Sequence, residues 1–242
     1  MKTISLKISI ITMLFLASFK SYSQDFELVN GVQVYFKVTP NMFPANFYEP
    51  QYKAHAVTAK HFDKQKLVSV IKKELSKYPV NVIATFLKRV YVIDSISFYG
   101  KKIDACYGSD AIYITANSRY FEISFNHELN SILYYHNKKS FPKEQWEKLN
   151  TVAYTGNEWT NKFDTDISNL YANTGFITEY SKTSFSNDMS CIAEYMMVPQ
   201  PCLKQYLAKY PLVKAKFEMM KQFYLSIDSS FKFPALPSEL IN

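Results

Sequence analysis

The sequence predicts an α+β fold, and three observations carry that prediction. Apolar residues recur at 3–4-residue spacing over residues 63–78 and again over 119–136, the period of a helix with a buried side. Between these stretches, β-branched and aromatic residues gather in short runs separated by turn formers, so the strands come as a group rather than alternating singly with helices. With 19 Tyr, 19 Phe and only five Gly, the composition supplies a large aromatic core and excludes disordered and repeat architectures.

Residues 1–23 read as a secretory signal. Lys2 and Lys7 give a positive start, Ile8 to Phe19 is a short apolar run, and Ser21-Tyr22-Ser23 places small residues at the cleavage-specifying positions, with the cut before Gln24. The run is too short for a bilayer, which takes about 20 residues. No Cys lies near the cut, so no lipid anchor is expected, and no later segment is apolar enough to span a membrane. The expectation is export to the periplasm or beyond. The chain after the cut, 24–242, has the length of one domain. It divides into an N-terminal lobe with a sheet and a motif-bearing helix (24–136) and a helical C-terminal lobe (137–242).

Residues 24–60 are strand-and-loop in character, with Pro40, Pro44 and Pro50. Asp63 can cap a helix carrying Leu67, Val70, Ile71, Leu75 and Tyr78, and a short helix through Val82, Ile83, Phe86 and Leu87 comes after Pro79. RVYVIDSISFYG predicts one strand closed by Gly100, Lys101-Lys102 a turn, and DACYG and AIYITA two more strands. A helix over 119–136 comes next, then a polar irregular stretch from Asn137 to Ser184 containing Trp146 and Trp159. A helix begins near Asn187, and a helical tail over 202–227 is interrupted at Pro211, with Leu203, Leu207, Val213, Phe217 and Met220 inward.

The formal net charge is +7, of which the signal contributes Lys2, Lys7 and Lys20. The remaining lysines are scattered rather than clustered, which argues against nucleic acid as a partner. Cys106, Cys191 and Cys202 allow one disulfide after export or none. Cys191 and Cys202 are the closer pair, and no Cys-x-x-Cys suggests a ribbon or redox site.

The chemistry concentrates in FNHELNSILYYH, residues 125–136. With His127 at zero on a helical wheel, Ser131 lies at about 40° and Glu128 at about 100°, while Phe121, Phe125, Leu129, Ile132 and Leu133 gather on the other side. One face is therefore expected to be buried and the other to present His127 and Ser131 to something polar. A zinc-protease helix pairs two histidines at i and i+4 on one metal and uses the intervening Glu as base to a metal-bound water. Here the second histidine position is Ser131, a poor zinc ligand. His136 falls on the far side of the wheel, and His55 and His61 lie in the N-terminal part. A nucleophilic Ser131–His127 pair would lack an oxyanion hole and a Gly-x-Ser-x-Gly turn.

NHELNSIL, then QWEKLN and YTGNEW, then GFITEYSKTSFSNDMSCIAEYMM, together resemble the zinc-binding metallopeptidases found among exported proteins and lipoproteins of Gram-negative bacteria, a family of the Glu-zincin group. The resemblance runs over roughly residues 65–225. It implies a zincin-like fold in which a second helix completes the zinc site through Glu, three residues, Glu, the first binding metal and the second bracing, with an upstream tyrosine for the oxyanion. On this chain Ser190 stands at the ligand position, Glu194 at the bracing position, and Tyr180 is the tyrosine. A shift of one turn would instead make Glu194 the ligand. Asp188 is expected to stabilise the start of that second helix.

The resemblance leaves two expectations. In the first, the ligand positions have become Ser131 and Ser190, the hydroxyls meet across the former site, no cofactor is bound, and the cleft takes a peptide, protein or glycan, as an accessory to outer-membrane import. In the second, the chain is an active zinc peptidase using His127 and Glu194 as metal ligands with one further ligand, Glu128 as base and Tyr180 on the oxyanion.

Overall fold

Three parallel strands make the spine of the molecule. The computed structural model describes residues 26–156 and 167–237; the signal and Trp159 lie outside them. β1 (Phe26–Val29) and β2 (Val32–Tyr35) form a hairpin, and β3 (His55–Val57) precedes α1 (Lys64–Leu75) and α2 (Val80–Phe86). β4 (Arg89–Ile93), β5 (Ser95–Phe98), β6 (Lys101–Ile103), β7 (Ala105–Tyr107) and β8 (Ala111–Thr115) come in quick succession. Five of these strands form one sheet in the order β1-β2-β4-β8-β7, with β2, β4 and β8 parallel and β1 and β7 antiparallel at its edges. β3, β5 and β6 form a second, antiparallel sheet.

The run RVYVIDSISFYG is thus two strands in two sheets rather than one. Its pattern is equally apolar on both sides of Asp94, whose N–H donates to Val57 O (2.8 Å) as the chain leaves one sheet for the other. The turn between β5 and β6 is Tyr99-Gly100, both at positive φ (52° and 74°), as a two-residue hairpin of this hand requires. Lys101 and Lys102, expected in the turn, lie instead in β6.

Asp63 caps α1 by accepting from Lys66 N (2.9 Å), and Leu67, Ile71 and Leu75 turn inward. α3 (Phe121–Asn137) packs on β7 and β8 and lies alongside α6 (Phe185–Met197). The expectation of one buried face on α3 falls short: every residue from Ser124 to Leu133 is buried. Its polar side is covered too, because its asparagines find partners in the interior. Asn126 accepts from Tyr78 OH (2.8 Å) and donates to Glu74, and Asn130 accepts from Tyr224 OH (3.0 Å).

The stretch 137–184 is less irregular than its composition implies. It holds α4 (Lys143–Glu147), α5 (Asn169–Ala172) and a 3-10 turn at Tyr180–Lys182. Trp146 on α4 is fully buried. α6 begins at Phe185, capped by the Ser184 hydroxyl accepting from Asn187 N (3.2 Å). α7 (Leu203–Lys209) and α8 (Pro211–Ile227) divide at Pro211, the first residue of α8, where its missing N–H costs no helical bond.

Asp188 lies in the first turn of α6, as expected, and has a second role in the interior. It is fully buried and accepts at Oδ2 from Lys216 Nζ of α8 (2.6 Å), Trp146 Nε1 (2.8 Å) and Tyr154 OH (3.0 Å). Lys216 also donates to Asn150 Oδ1 (2.6 Å) and to Gly175 O (2.7 Å). Its ammonium lies 4.6 Å from the Phe176 ring centroid and 5.3 Å from that of Trp146. Gly175 is required here: at φ +93° a Cβ would stand 2.4 Å from Leu149 O. This buried ion pair ties α6, α8 and the 146–176 segment together. No disulfide forms among the described residues: Cys106, Cys191 and Cys202 are all free thiols. No helix of the described residues is long and apolar enough to cross a membrane.

Candidate functional site

A cleft of about 750 Å³ opens between the second sheet, β7, α3 and the start of α6. Its floor carries His127, Glu128 and Ser131 from α3, and Asn187 from α6. Phe47, Tyr52 and Phe98 form an aromatic wall, Tyr180 stands over the floor, and Lys101 and Lys102 of β6 are at the margin. β7 borders the cleft as the outer strand of its sheet. Gly108 N donates to Ala111 O (2.7 Å) and Thr115 N to Asp104 O (2.9 Å). By the alternation of an antiparallel ladder, these bonds turn the N–H and C=O of Ala105 away from β8.

Below the floor, α3 and α6 meet through polar side chains. His127 Nδ1 and Glu194 Oε2 are 2.9 Å apart, both buried. This bond turns Nδ1 away from the cleft, since Glu194 is not part of its lining, and leaves Nε2 as the ring nitrogen for the cleft side. Ser131 Oγ lies 3.1 Å from Ser190 Oγ and donates to its own helix at His127 O (3.2 Å). Asn130 Nδ2 donates to Ser190 Oγ (3.1 Å). The Ser131 hydroxyl is thus engaged with Ser190 and the helix backbone rather than with the His127 ring, and a nucleophilic Ser–His pair is not formed.

Burial governs the titration of this group. It works against a charged His127, but the Glu194 carboxylate outweighs it and holds the imidazole above its ordinary value. Glu194 itself is raised by burial, which the His127 bond offsets only in part. Glu128 is pushed up to about 7, mainly by burial, against the pull of His127 and with some help from Glu194. Near neutral pH it is therefore divided between acid and carboxylate.

The structure gathers His127, Ser131, Ser190 and Glu194 at one helix–helix contact, with Glu128 and Tyr180 on its cleft side. The Tyr180 ring centroid is 5.8 Å from that of His127. His136 is elsewhere, 2.7 Å from Ser109 O at the protein surface, and His55 and His61 are exposed. Two site residues escaped the sequence reading. Asn187, one turn before Ser190, lines the cleft from α6 beside Ser186, and its Nδ2 donates to Thr183 Oγ1 (2.7 Å). Cys191, buried on α6, comes together with His127 and Glu194: one donor atom from each lies within 4.8 Å of the others. Counting positions back from Glu194 on the helix finds both, since 187, 191 and 194 share a face. From the sequence, Cys191 reads as a disulfide partner or a buried thiol, and the structure has it as a buried free thiol.

A catalytic zinc needs three protein ligands and an open position toward the substrate. The cleft lining offers His127 Nε2, Glu128, Cys106 and Asp104 as groups of ligand type, but among the described residues no three of these four converge. Beside His127 on the floor are the Ser131 hydroxyl and the Asn187 amide. The donors that do converge, His127, Cys191 and Glu194, meet behind the floor.

No curated protein and no solved structure matches the chain. A family model described as "Putative zinc-binding metallo-peptidase" matches residues 107–225, from the end of β7 through most of α8. That stretch contains both helices of the polar contact and the cleft floor. Over residues 107–225, the chain matches the model of this zinc-metallopeptidase family.

Proposed function

We propose that the chain is an exported, catalytically degenerate relative of the zinc metallopeptidases that binds an extended peptide in its cleft and releases it uncut. The observation that carries this reading is the Ser131–Ser190 contact, 3.1 Å between hydroxyl oxygens. It joins the two helices at the positions where the family resemblance puts a second imidazole and a carboxylate. A zinc ion bound there would polarise a peptide carbonyl and lower the pKa of its water. The residues beside His127 do not fit such an ion, because the Ser131 hydroxyl and the Asn187 amide stand there, and the Cys106 thiol and Asp104 carboxylate elsewhere in the lining form no three-donor group with it.

What the cleft retains is suited to binding. An edge strand can accept an extended peptide as an added strand, with the backbone supplying affinity and side-chain pockets supplying selectivity. β7 offers the backbone, and the Phe47, Tyr52 and Phe98 wall offers an apolar pocket. Lys101 and Lys102 favour a peptide bearing carboxylates near that pocket. A place beside an outer-membrane import system comes from the same resemblance and is part of the proposal.

Binding is tested with a peptide array probed by the whole chain, then equilibrium titration of the peptides retained. Ala105→Pro removes an edge N–H without breaking the β7–β8 ladder. It should weaken binding about tenfold or more, the equivalent of roughly one hydrogen bond. Unchanged affinity would place the ligand elsewhere.

The active-peptidase reading rests on a specific observation too. Tyr180 and Glu128 stand on the cleft side of His127, as an oxyanion donor and a base would. It requires further metal ligands facing the cleft, and Cys106 and Asp104, which line it, do not converge with His127 and Glu128 into a three-donor group.

A further inference from the structure

We infer that His127, Cys191 and Glu194 form a three-ligand binding site for a divalent cation of borderline softness, Zn²⁺ or Co²⁺, beneath the cleft floor rather than in it. The three donors come from two helices that pack side by side, and they are an imidazole nitrogen, a sulfur and a carboxylate oxygen, the ligand types such ions select. To meet the roughly 3.2–3.8 Å edges of a tetrahedron built from bonds of 2.0–2.3 Å, the 2.9 Å pair of His127 Nδ1 and Glu194 Oε2 opens slightly and the longer separations, within 4.8 Å, close, an adjustment within side-chain reach.

Charge accounting favours the same conclusion. All three side chains are buried, with Cys191 and Glu194 each 1 % exposed. A divalent ion with one thiolate, one carboxylate and one neutral imidazole has no net charge, so the complex avoids the cost of an unbalanced charge in the interior. On binding, the Cys191 proton leaves to solvent. The proton at His127 Nδ1 is lost or moves to Nε2, and the nitrogen's lone pair goes to the metal. Support beyond the ligands is already in place: Thr178 Oγ1 donates to Cys191 Sγ (3.7 Å), and Thr178 Oγ1 in turn accepts from Ser181 N (2.9 Å).

The site differs from a peptidase centre in two respects. It uses the Nδ1 side of His127, and neither Cys191 nor Glu194 borders the cleft. An ion here would lock α3 to α6 and fix the His127 ring without meeting a substrate. The inference stands apart from the peptide-binding proposal, which concerns the cleft side of the same histidine.

The test is a Co²⁺ titration of the whole chain after chelator treatment. The expected result is one equivalent bound, visible bands of tetrahedral intensity, and a near-ultraviolet thiolate-to-cobalt charge-transfer band. Cys191→Ser should lose that band and weaken binding more than about 100-fold, since losing outer support alone costs 10–100-fold. Should Cys191→Ser not fold, the Cys106→Ser/Cys202→Ser double variant keeps the question decidable, because it leaves Cys191 as the sole thiol and must retain the band. No charge-transfer band in the wild type, or its loss in that double variant, would overturn the inference. Peptide cleavage by the cobalt-loaded protein would overturn the proposed function and leave this inference standing.

Discussion

One helix, α6, carries two buried carboxylates, and the fold treats them differently. Asp188, at its first turn, faces a fixed cation: Lys216 gives its three protons to Asp188, Asn150 and Gly175 and lies against two aromatic rings. Glu194, near the other end, faces His127 and Cys191, groups whose charge depends on where protons sit. The first centre has a fixed counter-ion, with three donors on Asp188 Oδ2, and holds the scaffold. The second is adaptable, and it lies under a cleft. Buried polarity with a permanent counter-ion is read as structure; buried polarity that leaves imidazole, thiol and carboxylate together without one is read as a site.

The comparison breaks most clearly at Lys216. Lys216→Met leaves Asp188 buried without its cation, and it should lower unfolding free energy by about 3–5 kcal/mol in urea titrations. Adding Asp188→Leu should restore part of the loss, since replacing both members of a buried pair by apolar groups is often tolerated. A loss below about 1 kcal/mol in the single variant would mean that the two centres do not differ in kind.

A smaller effect belongs to Glu128 at the cleft. Its folded pKa, about 7, is raised from an ordinary 4.5. The stability it contributes is therefore fully present below pH 4.5 and is lost as pH rises through about 7. In chelator-treated protein, Glu128→Gln should match the wild type near pH 4.5 and exceed it by about 2–3 kcal/mol at pH 8. Equal pH profiles for the two proteins would show that Glu128 is solvated and not part of a buried group.

The smallest change is expected at the serine contact. Ser190→Ala leaves Asn130 Nδ2 and Ser131 Oγ without that partner and should cost about 1–2 kcal/mol. Ser131→Ala added to it should cost less than the sum of the singles, a coupling of about 0.5–1 kcal/mol in a double-mutant cycle. Strict additivity would separate the two hydroxyls.

Local signals made much of this legible. Asp63 and Pro211 mark helix starts because capping and the missing N–H of proline act within one turn, and the helix through residues 121–137 stands out by its length and period. The boundary at Asp94 did not show, since the residues on both sides are equally apolar and only the tertiary placement of two sheets divides them. The pairing of Asp188 with Lys216 is hidden for the same reason: the two are 28 residues apart, and nothing local announces a buried lysine. At the site, helical spacing singles out His127 and Ser131, the family resemblance singles out Ser190 and Glu194, and the packing of the two helices brings the four together. Cys191 reads from the sequence as a disulfide partner or a buried thiol, because a thiol's role depends on what the neighbouring helix places opposite it.

The claim that the cleft binds without cutting is tested most directly by mass spectrometry of a peptide mixture incubated with the whole chain and added Zn²⁺. The account predicts intact peptides after long incubation, including those the protein retains. New termini whose formation stops with chelator and with Glu128→Gln would contradict it.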